Sequence, residues 1–124
     1  MRVLKPEDIH RAFVEAFNAR DLNGLLDLYA PDAVFVWGAD GAVVGHAAIS
    51  QAFSELLKSQ GSIRLATGYC YTNGDLALLQ SRWEILGTES EVMARGASAE
   101  VARRQADGAW RYVIDHPSGG DSPK

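Results

Sequence analysis

Residues 62–86 read SIRLATGYCYTNGDLALLQSRWEIL, two strand-like runs joined by Asn73-Gly74. Asn-Gly between alternating hydrophobic stretches is a strong short-range hairpin signal, because both residues accept the positive φ of a tight turn. The spacing predicts strands over Ser62 to Thr72 and Asp75 to Leu86. Within the second, alternation separates Ala77, Leu79, Ser81, Trp83 and Ile85 from Leu76, Leu78, Gln80, Arg82 and Glu84. The first set is nearly all apolar and should face a core; the second carries charge yet keeps two leucines. A half-apolar outer face points to a partner sheet, hence a homodimer; the alternative is a solvated face with stray leucines.

Working outward, Glu91 to Ala106 is a third run, Asp107-Gly108 a second tight turn, and Ala109 to Ile114 the closing strand. Upstream, Gly61 stops a helix that Gly45-His46 introduces and whose stripe is Ile49, Phe53, Leu56 and Leu57. Ala33 to Trp37 reads as a strand, Asp40-Gly41 as a turn and Ala42 to Val44 as a short return strand. Pro6 suits the first position of an opening helix, with Glu7 and Asp8 favourable in its first turn. Ile9, Phe13 and Phe17, with Ala12 and Ala16, recur at helical spacing. Asp21 can cap a second, short helix whose apolar side is Leu22, Leu25, Leu26 and Tyr29 and whose end Pro31 follows. The order α-α-β-β-α-β-β-β-β implies an α+β fold in which three N-terminal helices cover a curved antiparallel sheet and close one pocket. Residues 1–118 are expected to form the single domain, and residues 119–124, in a stretch rich in Pro, Ser and Gly, a flexible tail.

The chain has 124 residues, 47% hydrophobic and 23% charged, enough for a core without disulfides or metal. A net charge of −4 argues against nucleic acid, since phosphate binding needs clustered Lys and Arg. The concentrated basic stretch Arg103-Arg104, with Arg95 and Arg111 nearby, reads as a sheet surface. Cys70 is the sole cysteine, so no intramolecular disulfide can form, and between Tyr69 and Tyr71 it reads as a small core residue. That thiol, the lack of a signal-peptide pattern before Pro6 and the lack of a membrane-length apolar run lead to the expectation of a cytoplasmic protein. His10, His46 and His116 are dispersed, with no His-x-x-x-His or Cys-x-x-Cys spacing, so no metal site is expected. His10 falls on the polar side of the first helix and is expected to be solvated. The His46 ring, just before the third helix, is expected to serve the helix N-terminus in a structural role, with the pocket rim as the alternative. No Gly-rich loop links a strand to a helix as a nucleotide site requires, and no cofactor is expected.

The stretches Phe17-Asn18-Ala19-Arg20-Asp21, Tyr29-Ala30-Pro31-Asp32-Ala33 and Gly45-His46-Ala47-Ala48-Ile49, closing with Asp107-Gly108-Ala109-Trp110-Arg111-Tyr112-Val113-Ile114-Asp115-His116-Pro117-Ser118, together resemble the nuclear transport factor 2-like superfamily. That group includes ketosteroid isomerases, SnoaL-like polyketide cyclases and kinase association domains. The resemblance covers roughly residues 5 to 118, and the closing stretch looks like stand-alone bacterial SnoaL-like proteins. It implies a conical fold with a pocket between sheet and helices, usually in a dimer. Ketosteroid isomerases need a carboxylate base plus a phenol and a protonated acid as oxyanion donors. Aligned on those motifs, Phe13 stands at the oxyanion tyrosine, Trp37 at the base, Phe53 at a supporting tyrosine, and Glu100 or Ala99 near the oxyanion acid. This chain is therefore not a ketosteroid isomerase by that mechanism.

What remains is Asp115, His116 and Glu100. Adjacent strand residues point to opposite faces, so Asp115 and His116 cannot share the pocket unless the strand is ending. Alignment with relatives of the fold puts Val113 and Asp115 on the concave side, with Trp110 and Ile114 on the other. An inward Asp115 in an apolar cavity would have a raised pKa and serve as acid or base; the alternative pairs it with Arg64 or Arg111. Glu100 is either a second inward acid or an outward partner of a surface arginine. Trp37, Trp83, Tyr29, Phe13, Phe17 and Tyr69 are the candidate ligand-binding aromatics, suited to a small, flat, apolar molecule. The functional expectation is a cofactor-independent acid–base isomerase, cyclase or hydrolase; the alternatives are a non-catalytic ligand-binding protein and a homodimerisation module.

Overall fold

The computed structural model describes residues 2–36, 41–59 and 61–121. After a helical turn at Pro6–Asp8 come α1 (Ile9–Asn18), α2 (Leu22–Leu26), β1 (Tyr29–Val36), β2 (Ala42–Val44) and α3 (His46–Leu56). The strands β3 (Ser62–Asn73), β4 (Leu76–Leu86), β5 (Val92–Ala97), β6 (Ala99–Arg104) and β7 (Trp110–His116) complete the α+β fold. The turns expected at Asn73-Gly74 and Asp107-Gly108 are in place, Gly74 and Gly108 adopting φ of 61° and 85°. Asp40 of the turn expected at Asp40-Gly41 lies outside the described residues. The Asp21 side chain caps α2 by accepting from Gly24 N at 2.9 Å.

The strands form one seven-stranded curved sheet in the order β2-β1-β7-β6-β4-β3, with β5 on β4. Adjacent pairs run antiparallel except β1 with β7, which are parallel. That pair joins the start of the sheet to its end, so the whole intervening chain serves as the crossover that parallel strands need. Three differences from the expected boundaries matter. The α2 helix ends at Leu26, and Tyr29 belongs to β1. Pro31, which has no amide hydrogen, lies in the stretch where the β1–β7 register shifts, between Tyr29 and Val34. The run Glu91 to Ala106 is broken at Ser98, where β5 leaves the C-terminal half of β4 and β6 takes up its N-terminal half. There Ser98 N donates to Ser81 O, and Ser81 N to Ser98 Oγ, each at 2.8 Å.

The core sits between the helices and the concave face of the sheet. Ala77, Leu79 and Ser81 of β4 are buried there, as alternation required, while Leu76, Leu78 and Arg82 are exposed on the other side. Helix α1 is pinned to β3 by the Asn18 side chain, which donates to Ile63 O at 3.0 Å and accepts from Ile63 N at 2.8 Å. Cys70 is half-buried against this core. His46 has a structural role, but toward β1 and not the helix N-terminus, Nε2 lying 2.7 Å from Tyr29 O. No helix of the described residues is long and apolar enough to cross a membrane.

At the end of the chain, Gly120 N donates to Ala97 O at 2.9 Å, and Asp121 Oδ1 accepts from Ala97 N at 2.7 Å. Residues up to 121 are therefore tied to the sheet.

Candidate functional site

A cavity of about 230 Å³ opens between α1, α3 and the sheet. Phe13 and Phe17 of α1, Phe53 of α3 and Phe35 of β1 supply aromatic wall, and Ile63, Leu65, Ile85 and Trp83 line it from β3 and β4. The Trp83 ring is held at the rim by its Nε1 donating to Pro117 O at 2.7 Å, and Gly96 leaves it room. The carboxylates in this wall are Glu100 of β6 and Asp115 of β7.

These two face each other directly across the β6–β7 pairing, and both are buried, at 4% and 5% exposure. Residue pattern alone left Glu100 open between inward and outward; it is inward. Asp115 is paired with neither arginine considered for it, since Arg64 bonds Glu84 at 2.6 Å and Arg111 bonds Asp107 at 3.1 Å. Its bond is to Tyr29, whose hydroxyl donates to Asp115 Oδ2 at 2.5 Å. On its other side Asp115 is level with Phe35 of β1. Burial, and then the negative charge of Glu100, push the Asp115 carboxyl up from an ordinary 3.8 to about 8, against the lowering effect of the Tyr29 bond. At neutral pH Asp115 therefore holds a proton. With Tyr29 occupying Oδ2, that proton is left to Oδ1, which has no hydrogen-bond partner among the described residues.

Tyr112, also fully buried in the wall, was not foreseen as a site residue. Burial and the charges of Glu100 and Asp115 hold its phenol well above its ordinary pKa, so the hydroxyl stays protonated. It too makes no hydrogen bond among the described residues. It shares the inner face with Asp115 because the β6–β7 register shifts between Val101 and Ala102, so Val113 takes up the irregularity. This also corrects the expected faces of β7: Trp110 is buried in the core with Tyr112, and Ile114 points out at 43% exposure as expected.

His10 is the larger correction. Expected in solvent, it is 2% exposed, with Nε2 2.9 Å from Glu100 Oε1 and Nδ1 2.8 Å from Thr67 Oγ1. The signal was present: His10 precedes Phe13 and Phe17 by three and seven residues and so shares their helical stripe.

Of the remaining candidates, Phe13, Phe17 and Trp83 line the cavity. Tyr29 stands behind Asp115 and does not line it. Tyr69 is outside, its ring tilted against that of the exposed Tyr71 with centroids 5.3 Å apart. The reason is the irregularity at Gly68 in β3, which resets the alternation so that Thr67 and Cys70 point inward and Tyr69 outward. His116 lies on the face opposite Asp115, against Gly119, and its enclosed Nδ1 has no partner among the described residues. Trp37 lies outside the described residues. No cluster of side chains able to hold a metal ion occurs among them.

A SnoaL-like domain family model matches residues 10–115 of the chain. A candidate calcium/calmodulin-dependent protein kinase type II association domain from Thiobacillus denitrificans superposes with a TM-score of 0.82 at 22% identity, over 95% of this chain and 97% of that one. A ketosteroid isomerase-like protein from Erwinia carotovora atroseptica gives 0.71 at 21% identity, over 88% of each chain. A protein of unknown function with a cystatin-like fold from Nostoc punctiforme gives 0.78 at 17%, over 99% and 98%. At such identities the likeness is one of fold. No curated protein matches the chain.

Proposed function

Because the chain belongs to the SnoaL-like domain family, we propose that it is a cofactor-independent acid–base enzyme, an isomerase, cyclase or hydrolase, acting on a small, largely apolar molecule. The observation that carries this is the opposed pair Glu100 and Asp115 in an otherwise apolar wall, with Asp115 pushed up to about 8. A carboxyl that keeps its proton beside a second carboxyl can divide with it the labour of acid and base. Protonated Asp115 donates from Oδ1, Glu100 accepts a proton, and the Tyr112 hydroxyl is a second donor for charge developing on a substrate oxygen. The positions where a ketosteroid isomerase keeps its polar groups hold Phe13 and Phe53, so the donors come from β7 instead.

Proton abstraction from carbon tests the reading. A panel of small cyclic ketones is incubated with the protein in heavy water, and deuterium uptake beside the carbonyl is followed by NMR. Uptake above background is expected, falling about 100-fold or more in Glu100→Gln and Asp115→Asn, the usual worth of a positioned acid or base. Uptake that is absent throughout, together with no small molecule co-purifying in native mass spectrometry, would reject the reading in favour of a non-catalytic role.

Assembly is a second part of the proposal. Tyr71, Leu76, Leu78 and Ile114 leave an apolar strip on the convex face, at 42% to 68% exposure, which suits a homodimer. A reducing, cytoplasmic setting is in keeping with the lone thiol of Cys70.

A further inference from the structure

Acid–base chemistry at Glu100 leaves His10 without a role of its own. Its ring is buried in the first turn of α1 and both nitrogens are engaged. A bridge between two buried groups would be ordinary packing of a polar side chain. These partners differ in kind. Glu100 lines the cavity, whereas Thr67 is exposed, on the outermost strand of its side of the sheet. Three side chains in hydrogen-bond contact, at 2.9 and 2.8 Å, thus run from the cavity through its wall to solvent.

We propose that Glu100, His10 and Thr67 form a proton path through the wall behind α1, by which Glu100 exchanges its proton with water while a bound molecule fills the cavity. The path rests on the acid–base reading of Glu100. A proton taken up by Glu100 passes from Oε1 to His10 Nε2. The Nδ1 proton passes to Thr67 Oγ1, and the hydroxyl releases its own proton to water. The reverse sequence reloads Glu100. Each group ends with as many protons as it began with, and an imidazole suits the middle position because it can carry a proton on either nitrogen. Such a path matters to a pocket of this shape, since substrate over the two carboxyls shuts out the water that would otherwise exchange with them. His10 and Thr67 are positioning residues here, acting only through Glu100.

The test is the exchange of the His10 ring N–H with water, measured by NMR on ring-labelled protein in the parent, in Thr67→Ser and in Thr67→Val. Xenon, which enters apolar cavities, serves as a plug. Thr67→Ser keeps the hydroxyl and should exchange within about two-fold of the parent, whereas Thr67→Val should slow by about ten-fold or more, because exchange must then wait for local opening. Xenon should leave the parent rate unchanged. Exchange as fast in Thr67→Val as in the parent, or a parent rate that xenon slows, would place the exchange route through the cavity and overturn the proposal. No substrate is needed, so failure here is separate from failure of the deuteration test.

Discussion

Asp115 shows how one buried carboxyl ties the site to stability. Its folded pKa of about 8 lies above the ordinary 3.8, so between those values the folded chain holds a proton that the unfolded chain releases. The contribution of Asp115 to stability is then fullest below about pH 4, declines as pH rises toward 8 and levels off above it, with a slope approaching about 1.4 kcal/mol per pH unit for one proton. Asp115→Asn removes the proton but keeps a neutral side chain of the same size. In urea titrations the variant should therefore gain on the parent as pH rises from about 5 to about 8. Parallel pH curves for parent and variant would show that Asp115 is already ionised in the folded state. The same residue was a candidate because the resemblance to relatives of the fold put it on the concave side near the end of the last strand. That Tyr29, a candidate for the pocket wall, would be its hydrogen-bond partner was not legible, because the two lie 86 positions apart and Tyr29 read as the last turn of a helix.

At the scale of elements, irregularities in β3 and β7 decide which side chains enter the cavity. The β3 irregularity at Gly68 sends Tyr69 out, and that of β7 brings Tyr112 and Asp115 to one face. On β5, Gly96 makes room for an aromatic ring, since a Cβ there would stand 2.6 Å from Trp83. That ring is fixed by the bond from its Nε1, on the edge nearest Gly96, to Pro117 O, so it cannot simply swing away. Gly96→Ala should cost about 1–3 kcal/mol through overpacking and shift the tryptophan fluorescence as Trp83 is displaced. A variant with parental stability and emission would mean that the ring is not held against Gly96. Alternation read from residue types finds the faces of a regular strand such as β4, but an extra residue in one strand leaves no mark on composition.

For the whole molecule, assembly turns on the convex face. Leu78 is 47% exposed at its centre, paired with Val101 and Tyr71 on the flanking strands. Leu78→Glu places a charge in that strip and should convert a dimer to a monomer in light scattering with unchanged circular dichroism. A parent protein already monomeric at high concentration would remove the homodimer from the account. The two sides of the sheet thus carry separate proposals, chemistry on the concave face and assembly on the convex one, and each can fail without the other.

Local chemistry in the chain was enough for the order of elements apart from the break at Ser98, and for the Asn73-Gly74 hairpin, the Asp21 cap, the α1 stripe and the inward set of β4, because turns and periodicity are properties of neighbouring residues. It also marked Asp115 and Glu100 as the acids to watch. Folding alone decided that they face each other, that Tyr29 bonds one of them and that His10 bonds the other across 90 positions. Such meetings depend on strand register, where a slip of one residue turns a side chain from cavity to solvent, and register is set by the packing of the whole sheet against its helices.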